Sequence, residues 1–106
     1  MIAPRLSELG IELPAPARPV GRYASYVRTG NLIWSVQGPL YGDRLAFQGK
    51  LGASRTVTQG QAAARQDALN LLTQLKSARD GNLDRVTRCV RLGGFINCAP
   101  GFNRQT

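Results

Sequence analysis

Thr58 to Gly81 reads TQGQAAARQDALNLLTQLKSARDG, and the rest of the chain takes its meaning from this stretch. Thr58 with Gln61 fits a capping box, in which two side chains satisfy N–H groups that a helix start leaves orphaned. Gly81 supplies the positive-φ residue that commonly closes a helix. Between them Ala64, Ala68, Leu71, Leu72, Leu75 and Ala78 recur at three- and four-residue spacing, as one apolar stripe. Gln66, Asn70, Thr73, Gln74 and Ser77 occupy the other side, which reads as solvent-facing. The spacing predicts one amphipathic helix over 58–80 with its leucines buried on a sheet, each contributing roughly 1.5–3 kcal/mol before chain entropy is subtracted.

Working outward, the flanks read as that sheet. Tyr23 to Arg28 and Asn31 to Gln37 are two short strands, joined by a tight turn at Thr29-Gly30. Tyr41-Gly42-Asp43 forms a second turn, and Leu45 to Lys50 a third strand. Before them, Pro4 to Leu9 fits a short helix stopped by Gly10. Leu13 to Gly21, LPAPARPVG, is too proline-rich for a central strand or a helix and reads as an extended surface arm. After the long helix, LDRVTRCVRLGGFIN is open to two readings. Leu83, Val86 and Val90 have helical spacing, whereas Gly93-Gly94 and the β-branched residues favour a strand. Leu83 to Arg85 is taken as a turn of helix and Thr87 to Ile96 as strand. Pro100-Gly101-Phe102 looks like the start of a further helix. Trp34 and Phe95 are expected in the core.

The 106 residues leave room for one domain with a modest core. No stretch is apolar enough over sufficient length to span a membrane, and MIAPRLSELG has no apolar run after its charge, so the expected location is cytoplasmic. A net charge of +8 raises the question of a nucleic-acid partner. The arginines are scattered from Arg5 to Arg104 with few aromatics between them, which argues against one. There is no histidine, so His-based triads and His metal ligands are excluded. Cys89 and Cys98 are the only cysteines and do not have zinc-site spacing, so no metal is expected and two free thiols are the plain reading.

The order of these segments resembles the Rid (reactive intermediate deaminase) family, also known as L-PSP endoribonuclease or translation-inhibitor-like. The residues that carry the resemblance are Leu13-Pro14, Pro19-Val20-Gly21 and Tyr23, then Arg28-Thr29-Gly30-Asn31-Leu32 and Gln37-Gly38-Pro39-Leu40. Ala68-Leu69-Asn70-Leu71-Leu72, Leu83-Asp84-Arg85-Val86 and Gly94-Phe95-Ile96-Asn97 with Phe102 complete the set. The resemblance implies a chorismate-mutase-like α+β fold, a mixed sheet with helices packed on one face. A single Rid-like domain would occupy 1–106, with an arm over 1–22, hairpin and third strand over 23–52, helix over 58–80, strand over 87–96 and a second helix starting near 101. It also implies a homotrimer with pockets between subunits. The implied activity is cofactor-independent hydrolysis of reactive enamines or imines to 2-oxo acids and ammonia.

By the same resemblance, Tyr23 matches a pocket tyrosine, and Ser35, Gln37 and Gly38 approximate a strand end that contacts substrate. Here the strand reads WSVQ, with Val36 where the family has glycine. A β-branched residue resists the close backbone approach that glycine permits. Asn97 would bound the pocket, although a strand-end asparagine in a turn is the commoner feature. Arg91 is the nearest candidate for holding a substrate carboxylate. The family's own carboxylate-binding arginine and its late acidic residue belong to a segment beyond the position of Thr106, so the catalytic residues are unassigned. As a deaminase the chain is therefore expected to be inactive or impaired. Two other functions stay open: a non-catalytic small-ligand or interaction module on the same fold, and an RNA-binding or endoribonuclease-like protein.

Overall fold

The computed structural model describes residues 2–15, 26–36, 40–41, 44–45, 49–53 and 55–104. The long helix is present as α2, Val57–Ala78. Its cap lies two residues earlier than the Thr58 frame. Thr56 is extended, its side chain accepts from the Gln59 N–H at 3.2 Å, and the Gln59 side chain accepts from the Thr56 N–H at 2.9 Å. Thr-x-x-Gln occurs in both frames, and the chain uses the first. At the other end the Gly81 N–H reaches the Lys76 carbonyl at 2.8 Å and the Asp80 N–H reaches that of Ser77 at 3.3 Å. This is a Schellman closure. Asp80, at φ 58°, takes the left-handed position that the glycine was expected to fill, and Gly81 follows at φ 82°.

The first helix, α1, spans Ile2–Glu8 and ends before Gly10 at φ 67°. The hairpin consists of β1, Tyr26–Thr29, and β2, Leu32–Ser35, antiparallel in the register Thr29↔Leu32 to Tyr26↔Ser35. Its two-residue turn is Gly30-Asn31, one position later than expected. Gly30 alone has positive φ, at 59°, the pattern of a turn with glycine first. Two further short strands, β3 at Leu40–Tyr41 and β4 at Arg44–Leu45, pair antiparallel, and Gly42-Asp43 of the expected second turn lie outside the described residues. Of the expected third strand, Leu45 is in β4, 46–48 lie outside the described residues, and Gly49 and Lys50 are not in a strand. α2 packs across β1, β2 and β3.

Three expectations are corrected. First, the stripe Ala64, Ala68, Leu71, Leu72, Leu75, Ala78 is not the buried face. Ala64 and Ala68 are exposed and the leucines only half-buried, while Gln66, Asn70, Thr73 and Gln74 are buried. A helix can dock by a polar face when each polar group on it finds a hydrogen bond. Second, Thr87 to Ile96 forms no strand. A strand exists through its partner's backbone bonds, and β propensity in this stretch does not supply a partner. Third, Trp34 and Phe95 are not core: they are 59% and 107% exposed. Among the described residues the one buried apolar side chain is Leu83, 2% exposed, in the 3-10 turn Leu83–Arg85. That turn was expected. Pro100-Gly101 forms a turn, with the Phe102 N–H on the Ala99 carbonyl at 3.1 Å, and no helix is described there.

Candidate functional site

The site has to be sought where β2 meets α2. Along β2, Leu32 and Trp34 are exposed while Ile33 and Ser35 are half-buried. This alternation turns Ile33 and Ser35 toward α2, the helix packed on the hairpin. The opposite side carries Trp34 across from Val27, both exposed, with Leu32 alongside. Ser35 therefore lies on the α2 side of the hairpin rather than on its open side. Tyr23, Gln37 and Gly38 lie outside the described residues. Arg91 is exposed on the irregular stretch after the 3-10 turn and makes no ion pair among the described residues. Asn97 is exposed too, but its carbonyl accepts the Leu51 N–H at 3.1 Å. The next residue, Cys98, forms a parallel bridge with Leu51, and the Ala99 N–H returns to the Leu51 carbonyl at 2.8 Å. Asn97 is thus anchored through its backbone, and among the described residues Arg91 is not.

On its buried face α2 presents groups that the sequence reading had assigned to solvent. Gln66 Nε2 donates to Asn70 Oδ1 at 3.2 Å, one turn away along the buried face. Thr73 Oγ1 lies 3.0 Å from both the Pro14 and the Leu69 carbonyls. The first of these contacts ties the chain before the hairpin to the helix. Asp67 shares this flank. Its Oδ1 is buried with no hydrogen-bond partner among the described residues, and burial pushes its carboxyl above the ordinary 3.8. A signal in the sequence could have found this face. At roughly 100° per residue, Arg65, Lys76 and Arg79 lie roughly 120–180° round from Asn70, so the charges mark the side opposite the amides. Gln66, Asn70 and Gln74 recur every fourth residue with no basic residue among them.

At the C-terminal end of α2 two adjoining hollows open. One, of about 350 Å³, is lined by Leu13, Pro14, Thr73, Lys76 and Asp80 among others. The second, of about 370 Å³, lies between α1 and the 3-10 turn and is lined by Ala3, Leu6, Ile11, Leu13, Lys76 and Leu83 among others. Neither contains a residue singled out from the sequence as a substrate contact. Asp80 is engaged by Arg85 at 3.0 Å across an exposed pair. Among the described residues no three His, Cys, Asp or Glu side chains come together as a metal site, and Cys89 and Cys98 form no disulfide. No helix is long and apolar enough to cross a membrane among the described residues.

Residues 3–102 match the profile of a family described as "YjgF/chorismate_mutase-like, putative endoribonuclease". The chain is 47% identical over 106 residues to Protein TCP17 of Trypanosoma cruzi, covering 99% of this chain and 66% of that protein. Among solved structures it is similar to protein Atu1372 of Agrobacterium tumefaciens, described as of unknown function. The TM-score is 0.83 at 35% identity, covering 96% of this chain and 62% of that one. It is also similar to a "putative endoribonuclease" of Shewanella oneidensis MR-1, with a TM-score of 0.68 at 42% identity, covering 77% of this chain and 54% of that one. The chain thus spans 66%, 62% and 54% of the length of these three relatives.

Proposed function

The chain belongs to the YjgF/chorismate-mutase-like family, that of the Rid and L-PSP proteins, and has its α+β fold; from this premise we propose that it is part of a hydrolase acting on reactive enamines or imines. In the proposed reaction water adds to the imine carbon, and the resulting carbinolamine collapses to a 2-oxo acid and ammonia. All atoms of product come from imine and water, so no cofactor is needed. The observation that carries this reading is the family match over residues 3–102, which includes the whole of the hairpin and α2. In this reading the Ser35 hydroxyl, with Gln37 and Gly38, contacts the substrate, Tyr23 and Asn97 bound the pocket, and Arg91 is the local candidate for the substrate carboxylate. An arginine suits that role because its planar fork matches a carboxylate.

The substrate is a small imino acid, the product a 2-oxo acid, and the assembly a homotrimer with pockets between subunits. A cytoplasmic site of action fits this chemistry. A second reading, RNA cleavage, is favoured by the description of the family and of the Shewanella protein. The absence of histidine and the scattered arginines weigh against it. A non-catalytic binding module is the third. Ammonia release from an imino acid generated in place by an amino-acid oxidase separates them. The expected result is acceleration when the chain is joined to the last segment of the Agrobacterium protein, weaker acceleration without it, and no cleavage of RNA. RNA cleavage without any effect on the imine would overturn the proposal.

A further inference from the structure

α1 has seven residues, too few to be stable in isolation. It has no buried residue and no acidic side chain in its first turn. A helix start leaves its first N–H groups without intrahelical partners. In α1, Pro4 has no N–H to satisfy, which among the described residues leaves Ile2 and Ala3. Both donate to a single distant oxygen. Asp84 Oδ1 accepts from the Ile2 N–H at 2.7 Å and from the Ala3 N–H at 2.9 Å, across 82 and 81 positions of sequence. Asp84 is itself held, its N–H donating to Asn82 Oδ1 at 3.1 Å at the start of the 3-10 turn. Among the described elements that turn is the one against which α1 packs, and the turn in turn packs on α2. The other end of α1 closes on the Leu6 carbonyl through the Ile11 N–H at 2.9 Å, with Gly10 left-handed between them.

We infer that α1 is a strap fastened by the Asp84 carboxylate, which opens as a unit about Gly10 while α2 stays folded. The strap forms one wall of the hollow of about 370 Å³ and lies against the turn that carries the buried Leu83. Asp84 acts by setting whether α1 is docked. Its charge makes the two bonds stronger than neutral ones, and it also favours the positive end of the helix dipole.

Amide hydrogen exchange on the full chain tests this, comparing Leu9, Gly10 and Ile11 with α2 amides such as Leu71 and Thr73. In Asp84→Ala the first group should exchange about tenfold faster or more, with α2 unchanged. Asp84→Asn keeps an acceptor oxygen without the charge and should fall between the two. Ala3→Pro removes one donor while leaving Asp84 intact. It should raise the same three rates by a smaller factor, and it carries the test if Asp84→Ala does not fold. Unchanged α1 rates in these variants would overturn the inference. So would acceleration of α1 and α2 together, because Asp84 would then support the whole fold rather than a strap.

Discussion

Replacing Asn70 by alanine should damage this protein more than enlarging Ala68, although Ala68 lies on the apolar stripe. Asn70 is 3% exposed and accepts from Gln66 Nε2 at 3.2 Å. Alanine removes that acceptor and leaves a buried amide hydrogen short of a partner. The cost of leaving such a group unsatisfied is about 1–3 kcal/mol, larger than the net worth of the bond itself. Ala68 is exposed, so Ala68→Gln should stay within about 0.5 kcal/mol. For a chain of this length the Asn70 effect corresponds to a fall of about 4–8 °C in melting temperature per kcal/mol. Urea unfolding followed by far-ultraviolet circular dichroism, at one fixed protein concentration, measures both. A double-mutant cycle with Gln66→Ala then isolates the pair, and the coupling should exceed about 0.5 kcal/mol. If Ala68→Gln is the more destabilising of the two, α2 docks by its leucines and the polar-face packing is wrong.

Other perturbations have equally definite outcomes. Burial raises the folded-state carboxyl of Asp67, so the folded form gains from protonation below the ordinary 3.8 and loses that gain as pH rises through the raised value. Asp67→Asn should therefore be stabilising at neutral pH, by a margin in urea midpoint that grows from about pH 3 to about pH 7; a margin that shrinks over this range would contradict the burial effect. A Cβ on Gly52 would sit 2.8 Å from Phe102 Cδ2 at φ 82°, whereas one on Gly60 would meet only the end of the Leu51 side chain, at 2.7 Å, from a helical backbone. Gly52→Ala should lower the melting temperature more than Gly60→Ala, which also gains roughly 1 kcal/mol of helix propensity; thermal melts decide the order. If the trimer proposal holds, Trp34→Glu, on the exposed side with Val27 and Leu32, should shift light-scattering mass toward monomer without loss of helix signal. An unchanged mass would remove that face from the interface.

The architecture was legible where local chemistry decides it. Gly10 and Gly30 marked a helix end and a hairpin turn, and the Thr-x-x-Gln repeat located the start of α2 to within two residues. The direction in which α2 docks was not legible from apolar spacing, because Gln66, Asn70 and Gln74 are as compatible with a hydrogen-bonded interior as with water. The fate of Thr87 to Ile96 depends on a pairing partner that its own residues do not encode. Of the candidate site, Ser35 belongs to a hairpin that could be read, whereas Asn97 is anchored by a bridge to Leu51 that the sequence reading did not find. Asp67 could not be found, since only burial distinguishes it from any other helix aspartate. The cap that Asp84 provides to α1 spans most of the chain and has no local signature.

The paired bonds at Leu51 bear on how this chain reaches its fold. Leu51 bridges Cys98 in parallel, and all of α2 lies between them, so the segment is a strand-like, helix, strand-like crossover. Joining two points 98 − 51 = 47 positions apart in a flexible chain is entropically costly and slow compared with local events. Once the 22 residues of α2 are helical, they act as a rod of about 33 Å, and the search is reduced to the connections at either end, 52–56 and 79–97. The order of assembly that follows is helix first and Leu51 bridge late. Substitutions that weaken the cap at Thr56 should accordingly slow refolding, while those at the bridge, such as Gly52→Ala, should act mainly by speeding unfolding.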